Sequence, residues 1–164
     1  MKICIIGPSG AGKTTIAAQL AKELSLSIYE FDTIYWDITG NEYRKNSKEC
    51  IKSKIDMIVN TDEWIVEGAY DKHLYTFLLE CSIIFRVNVP YYLRFARLIK
   101  RFLIAKITRK KPKETILNTF ELLHFSRKYD QQLNDFLNLH KKLSSKVILI
   151  KDISSCREVL KLNQ

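Results

Sequence analysis

The sequence predicts an α/β fold in which a parallel sheet is covered by helices on both faces. Three observations carry that expectation. Short apolar runs alternate with amphipathic stretches along the chain. A glycine-rich turn, Gly7-Pro8-Ser9-Gly10-Ala11-Gly12, joins the first apolar run to the first amphipathic stretch. The candidate strands are separated by segments long enough for helical crossovers, which parallel pairing requires and a tight hairpin cannot supply.

Taken in order, Lys2 to Ile6 reads as a strand, and Lys13 to Leu24 places Ile16, Ala17, Leu20, Ala21 and Leu24 on one helical face. Ser27 to Phe31 reads as a second strand ending at Asp32, and Arg44 to Val59 as a helix carrying Ile51, Ile55, Ile58 and Val59. Trp64-Ile65-Val66, ending in Glu67-Gly68, is a third strand, and Ser82 to Val89 a fourth. Pro90 opens a long basic helix to about Thr108, because its missing amide proton has no partner at that position anyway. Pro112 starts another helical region, broken or bent around Ser126 to Asp130 and running to about Leu143. Lys146 to Ile150 is the last strand and Ser154 to Leu162 the last helix.

A chain of 164 residues suits a single domain spanning 1–164. No apolar run approaches the length of about 20 residues that a bilayer requires, and the start of the chain lacks a secretory pattern. Cys4, Cys50, Cys81 and Cys156 have no paired spacing and read as reduced thiols, so a cytoplasmic protein with no membrane partner is expected. The net charge of +9 is concentrated, since ten basic and no acidic residues lie between Arg86 and Lys113. Such a block attracts nucleic acid or an acidic surface, or neutralises the phosphates of a small substrate; composition leaves these open.

Gly7-x-x-x-x-Gly12-Lys13-Thr14 fits the phosphate-loop pattern, and it lies where the pattern has physical meaning, between a strand and a helix. Glycines let successive amides face one anion, and the helix amino terminus adds partial positive charge. The candidate nucleotide-binding residues are therefore Gly7, Ser9, Gly10, Ala11, Gly12, Lys13, Thr14 and Thr15, with Lys13 bridging outer phosphates and the Thr14 hydroxyl available to Mg²⁺. The GTPase base-reading Asn-Lys-x-Asp motif is missing, and the chain is short for a motor ATPase, which leaves a kinase-like enzyme as the leading class.

In a parallel sheet, functional groups gather past the carboxyl ends of strands. Glu67 stands at such an end and is a candidate for the Mg²⁺ shell, or else a solvent-facing turn residue. Asp32 either orients an acceptor hydroxyl or caps a helix. Tyr35 and Trp36 fit an acceptor wall or the core. Arg94, Arg97 and Arg101 share one helical face, a cluster for neutralising a migrating phosphoryl group or a solvated basic face. Arg109 and Arg127 are further candidates on a lid. His73, His124 and His140 have no partner spacing.

These motifs together, namely the phosphate loop, Phe31-Asp32-x-x-Tyr35-Trp36, Trp64-Ile65-Val66-Glu67-Gly68-x-Tyr70, and Pro90-Tyr91-Tyr92-Leu93 with Arg97 and Lys100-Arg101, resemble the adenylate-kinase-like P-loop proteins known as topology modulation proteins. The resemblance runs from residue 1 to about 102 and resumes in the last strand and helix. It implies the nucleoside-monophosphate-kinase-like P-loop NTPase fold, a three-layer sandwich around a five-stranded parallel sheet ordered 2-3-1-4-5, with a helical lid at about 102–130. It implies ATP and Mg²⁺ as cofactors, with Lys13, Asp32, Arg97 and Arg101 in the catalytic set and Thr14 and Glu67 at the metal; the lid candidate Arg127 is added to the catalytic set from its position in the sequence. The leading expectation is transfer of the ATP γ-phosphate to an unidentified small acceptor. The alternative is a nucleotide-gated DNA-binding or topology-modulating protein acting through the basic 86–113 segment, or a weak ATPase. Oligomeric state is not legible in the sequence.

Overall fold

The structure, a computed structural model, describes residues 1–37, 39–40, 44–69, 74–108 and 116–162. The expectations placed on Tyr70, His73, Arg109 and Pro112 lie outside these residues.

The elements in chain order are β1 (Lys2–Ile6), α1 (Lys13–Leu24), β2 (Ile28–Glu30), α2 (Phe31–Tyr35), β3 (Trp36–Asp37), β4 (Arg44–Lys45), α3 (Lys48–Val59) and β5 (Trp64–Gly68). They continue with α4 (Tyr75–Glu80), β6 (Ile83–Val87), α5 (Tyr91–Thr108), α6 (Ile116–Leu139), α7 (Lys141–Ser144), β7 (Val147–Ile150) and α8 (Ile153–Leu162). The main sheet runs β2-β5-β1-β6-β7 with every pair parallel, which is 2-3-1-4-5 when only its own strands are counted. This is the expected order.

Strand alternation sorts the core into two layers. Cys4 and Ile6 of β1, Trp64 and Val66 of β5 and Ile84 of β6 face a cluster completed by α3, α4, α6 and α7. Ile3, Ile5, Ile65, Phe85 and Val87 face the opposite way, onto α1 and α8. The apolar runs read as strands because both of their faces are covered. Burying Trp64, Phe77, Phe85 and Ile65 completely removes their apolar surface from water at about 25 cal/mol per Å², which fixes the sheet on which the site rests.

Four sequence expectations are corrected. The second strand stops at Glu30 rather than Phe31, and Phe31 to Tyr35 turn as a helix, so Asp32 stands two residues past the strand's end, in the first turn of that helix. The helix read from Arg44 begins at Lys48, because Ser47 caps it by accepting from the Cys50 amide at 3.1 Å, while Arg44 and Lys45 pair with β3. The region from Ser126 to Asp130 is unbroken α6; its polar residues interrupt the apolar period because they meet partners elsewhere in the fold. That helix ends at Leu139, and a separate short helix, α7, covers the stretch to Leu143. Short α4, β3 and β4 were too brief to show a period of their own.

Candidate functional site

The register puts Ile5 beside Glu67 and Ile6 beside Gly68 on one side of β1, and Ile6 beside Arg86 on the other. The chain leaving β1 therefore enters its turn between the carboxyl ends of β5 and β6. Gly7 is buried there against Val87. The loop closes through the Ala11 amide, which donates to the Pro8 carbonyl at 3.2 Å. Gly10 and Gly12 have φ of 80° and 98°, a region costly for side-chain-bearing residues, and a Cβ on Gly10 would stand 2.8 Å from the Arg94 carbonyl oxygen.

Helix α1 starts at Lys13 with Gly12 as its cap, and among the described residues no side chain caps its first turn. Its leading amides, including those of Lys13, Thr14 and Thr15, have no intrahelical acceptor and point where an anion fits. The Lys13 ammonium donates to the Pro8 carbonyl at 3.3 Å. Burial pushes it below the ordinary lysine value; Glu67 and Asp32 work against that shift, while Arg101 works with it. These four groups therefore share one field.

Beside Lys13, the Thr14 hydroxyl donates to Glu67 Oε1 at 2.7 Å. Glu67 is only 6% exposed, and its Oε2 is buried with no hydrogen-bond partner among the described residues. Burial raises its carboxyl above the usual value, with Lys13 and the Thr14 bond pulling it back. A buried carboxylate with a spare oxygen beside a hydroxyl is a pair of hard oxygen donors, the chemistry a magnesium ion takes.

Asp32 is exposed in the first turn of α2 and acts electrostatically on both Lys13 and Glu67. Arg97 is turned onto the loop: its Nη1 donates to the Ala11 carbonyl at 3.0 Å and to the Gly10 carbonyl at 3.3 Å. Arg101 lies on the same helix one turn further on, exposed, and is felt by Lys13. Arg127 is exposed on α6, next in sequence to Ser126.

Ser126 and Asp130 were invisible as site residues. Ser126, fully buried, donates to the Ser9 carbonyl at 3.2 Å. Arg94 does not belong to a solvated basic face: it is 4% exposed and donates to Asp130 Oδ2 at 2.8 Å. Arg86 donates to Asn134 Oδ1 at 2.6 Å and lies 3.5 Å from Asp130 Oδ1. Only the four-residue spacing of Ser126 and Asp130, one face of a helix, signalled them. Three basic residues of the 86–113 segment, Arg86, Arg94 and Arg97, are thus spent on contacts inside the fold, and nothing in the comparisons below supports nucleic-acid binding.

The sheet order and the loop on α1 are those of a P-loop fold, and the chain is similar to adenylate-kinase-like P-loop kinases. The family model of the ATPase family associated with various cellular activities (AAA) matches residues 3–66. A cytidylate kinase of Aeropyrum pernix is 26% identical over 159 residues, 90% of this chain and 91% of that protein. A cytidylate kinase of Clostridioides difficile is 37% identical over 67 residues, which span 41% of this chain but 26% of that relative. Among solved structures, a shikimate kinase from Bacteroides thetaiotaomicron superposes with a TM-score of 0.58 at 15% identity, covering 98% of both chains. A deoxyadenosine kinase from M. mycoides with bound dATP gives 0.55 at 16%, covering 100% of both. All four are kinases, and the expectation of a kinase-like phosphotransferase agrees with them. Among the described residues, no helix is long and apolar enough to cross a membrane.

Proposed function

We propose that this chain transfers the γ-phosphate of ATP to a small-molecule acceptor. The observation that carries the reading is the Lys13–Thr14–Glu67 group at the head of α1, with Asp32 in the same electrostatic field. Loop amides and Lys13 hold the triphosphate. Arg97 and Arg101, and Arg127 from α6, offer guanidinium charge to the phosphoryl group as it moves. Thr14 and Glu67 are the residues that fit Mg²⁺; when bound, the ion supplies positive charge to the phosphates. An acceptor oxygen forms a bond to the γ-phosphorus as the bond to the β–γ bridging oxygen breaks, and ADP leaves. Where the acceptor is a hydroxyl, its proton passes to the Asp32 carboxylate.

Two relatives bear the name cytidylate kinase, so pyrimidine nucleoside monophosphates head the candidate acceptors. Free thiols at all four cysteines support a reducing compartment such as the cytoplasm. The test is ATP consumption with Mg²⁺ across nucleoside monophosphates, nucleosides and small hydroxy acids. Stimulation by one acceptor class, abolished by chelation, is expected. Equal consumption with every acceptor and with none would reduce the chain to an ATPase.

A further inference from the structure

Three consecutive carbonyls on the outside of the phosphate loop are each held by a side chain from a helix far along the chain. Ser126 of α6 donates to Ser9 O, and Arg97 of α5 donates to Gly10 O and Ala11 O. In a trans peptide, the carbonyl of one residue and the amide of the next point in opposite directions. Fixing those carbonyls outward therefore turns the amides of Gly10, Ala11 and Gly12 to the inner side, where Ala11 N already reaches across to Pro8 O.

Beside those loop contacts, one ion pair ties the two packed helices together. Arg94 lies three residues before Arg97, and Asp130 four residues after Ser126, so each partner is one turn from a loop-holding group. Arg94 Nη2 and Asp130 Oδ2 are 2.8 Å apart. Asp130 also faces Arg86, which lies beside Ile6 in the sheet, so the carboxylate ties α6 to α5 and to the strand next to the loop's entry. The main chain of Arg94 forms the wall against Gly10.

Stability does not explain this pair. Arg94 is almost fully buried, yet its Nε and Nη1 find no hydrogen-bond partner among the described residues. Asp130 is half-buried, so solvent weakens the pair's attraction, while the buried arginine keeps the desolvation cost that apolar residues of similar volume avoid. What an apolar pair lacks is a fixed register. We infer that Asp130, acting through Arg94 and with Ser126, is a positioning residue that pre-sets the phosphate loop for a nucleoside triphosphate.

This inference rests on the proposed nucleotide site, and one experiment separates the two. ATP·Mg²⁺ affinity is measured by calorimetric titration for the wild-type chain, Asp130→Asn, Ser126→Ala and the double variant Arg94→Met/Asp130→Leu, alongside the midpoint of thermal unfolding. The double variant is expected to unfold no earlier than wild type yet to bind ATP·Mg²⁺ about tenfold or more weakly, since small misplacement of binding groups is costly. Asp130→Asn should weaken binding similarly if it folds, and Ser126→Ala by about two- to fivefold, the worth of one neutral hydrogen bond. In turnover, KM for ATP should rise while KM for the acceptor stays put. A folded double variant binding ATP within twofold of wild type overturns the positioning role alone. A wild-type chain that binds no ATP overturns the nucleotide site and this role with it.

Discussion

At the loop end of the site, Glu67 is 6% exposed and hydrogen-bonded to Thr14, and the loop carbonyls are held from outside by Arg97 and Ser126. At the Asp32 end, a five-residue helix carries an exposed carboxylate and passes into two-residue strands, tied back by Asn46 to Ile34 and Tyr35. The first end rests on the central strand of the sheet; the second hangs from its edge. On the proposed function the loop end takes the triphosphate, which is the same in every ATP, and rests on the part of the fold least able to vary; the Asp32 end takes the acceptor, on short connecting elements that change without disturbing the sheet.

The sharpest way to break that contrast is at Lys13. Lys13→Ala is expected to lower turnover by about 10²–10³-fold or more, the scale of removing one preorganised charge-stabilising group, in a protein whose circular dichroism is unchanged. Wild-type turnover in that variant would mean that phosphate is held elsewhere. Glu67→Ala should leave nucleotide affinity nearly intact while removing the dependence of turnover on Mg²⁺; an unaltered metal titration would assign the ion to another group. Asp32→Asn is expected to lower acceptor-dependent kcat by about 10²-fold, within the range for a lost general base, with ATP affinity unchanged. A change in ATP affinity instead would place Asp32 on the donor side.

Two smaller effects are in stability. Gly10→Ala should cost about 2–4 kcal/mol, combining a left-handed backbone with a clash against the Arg94 carbonyl, read as a lower denaturant midpoint. Glu67→Gln should raise stability by about 1 kcal/mol at pH 7, because a buried ionised carboxylate is removed. The sign follows from the raised carboxyl: ionisation costs the folded state more than the unfolded one, so the gain is full above the folded value and fades as pH falls through it toward 4.5. A loss of stability at pH 7 would mean that the charged form is held by partners stronger than Thr14 and Lys13.

The loop end was legible as strand, turn and helix because its signals are local. Gly7 to Thr14 lie in one run, and β1, β5 and β6 announce themselves as short apolar stretches buried on both faces. Long-range contacts were not legible. Ser126 meets Ser9 across 117 positions, and Asp130 meets Arg94 across 36, so their polarity read as a break in a helix that is continuous. Asp32 was found as a position past the second strand, but the helix that carries it was not read, since five residues show no period. Arg94 looked like its neighbours Arg97 and Arg101, and only the fold shows that its guanidinium is turned inward to Asp130.

Whether the terminal phosphate leaves the loop for a small acceptor is decided by a single-turnover reaction of enzyme in excess with γ-labelled ATP and Mg²⁺, in the presence and absence of nucleoside monophosphates. Label is expected on an acceptor, at a rate that the acceptor sets and Asp32→Asn slows. Label appearing only as inorganic phosphate, at one rate whatever is added, would contradict that transfer.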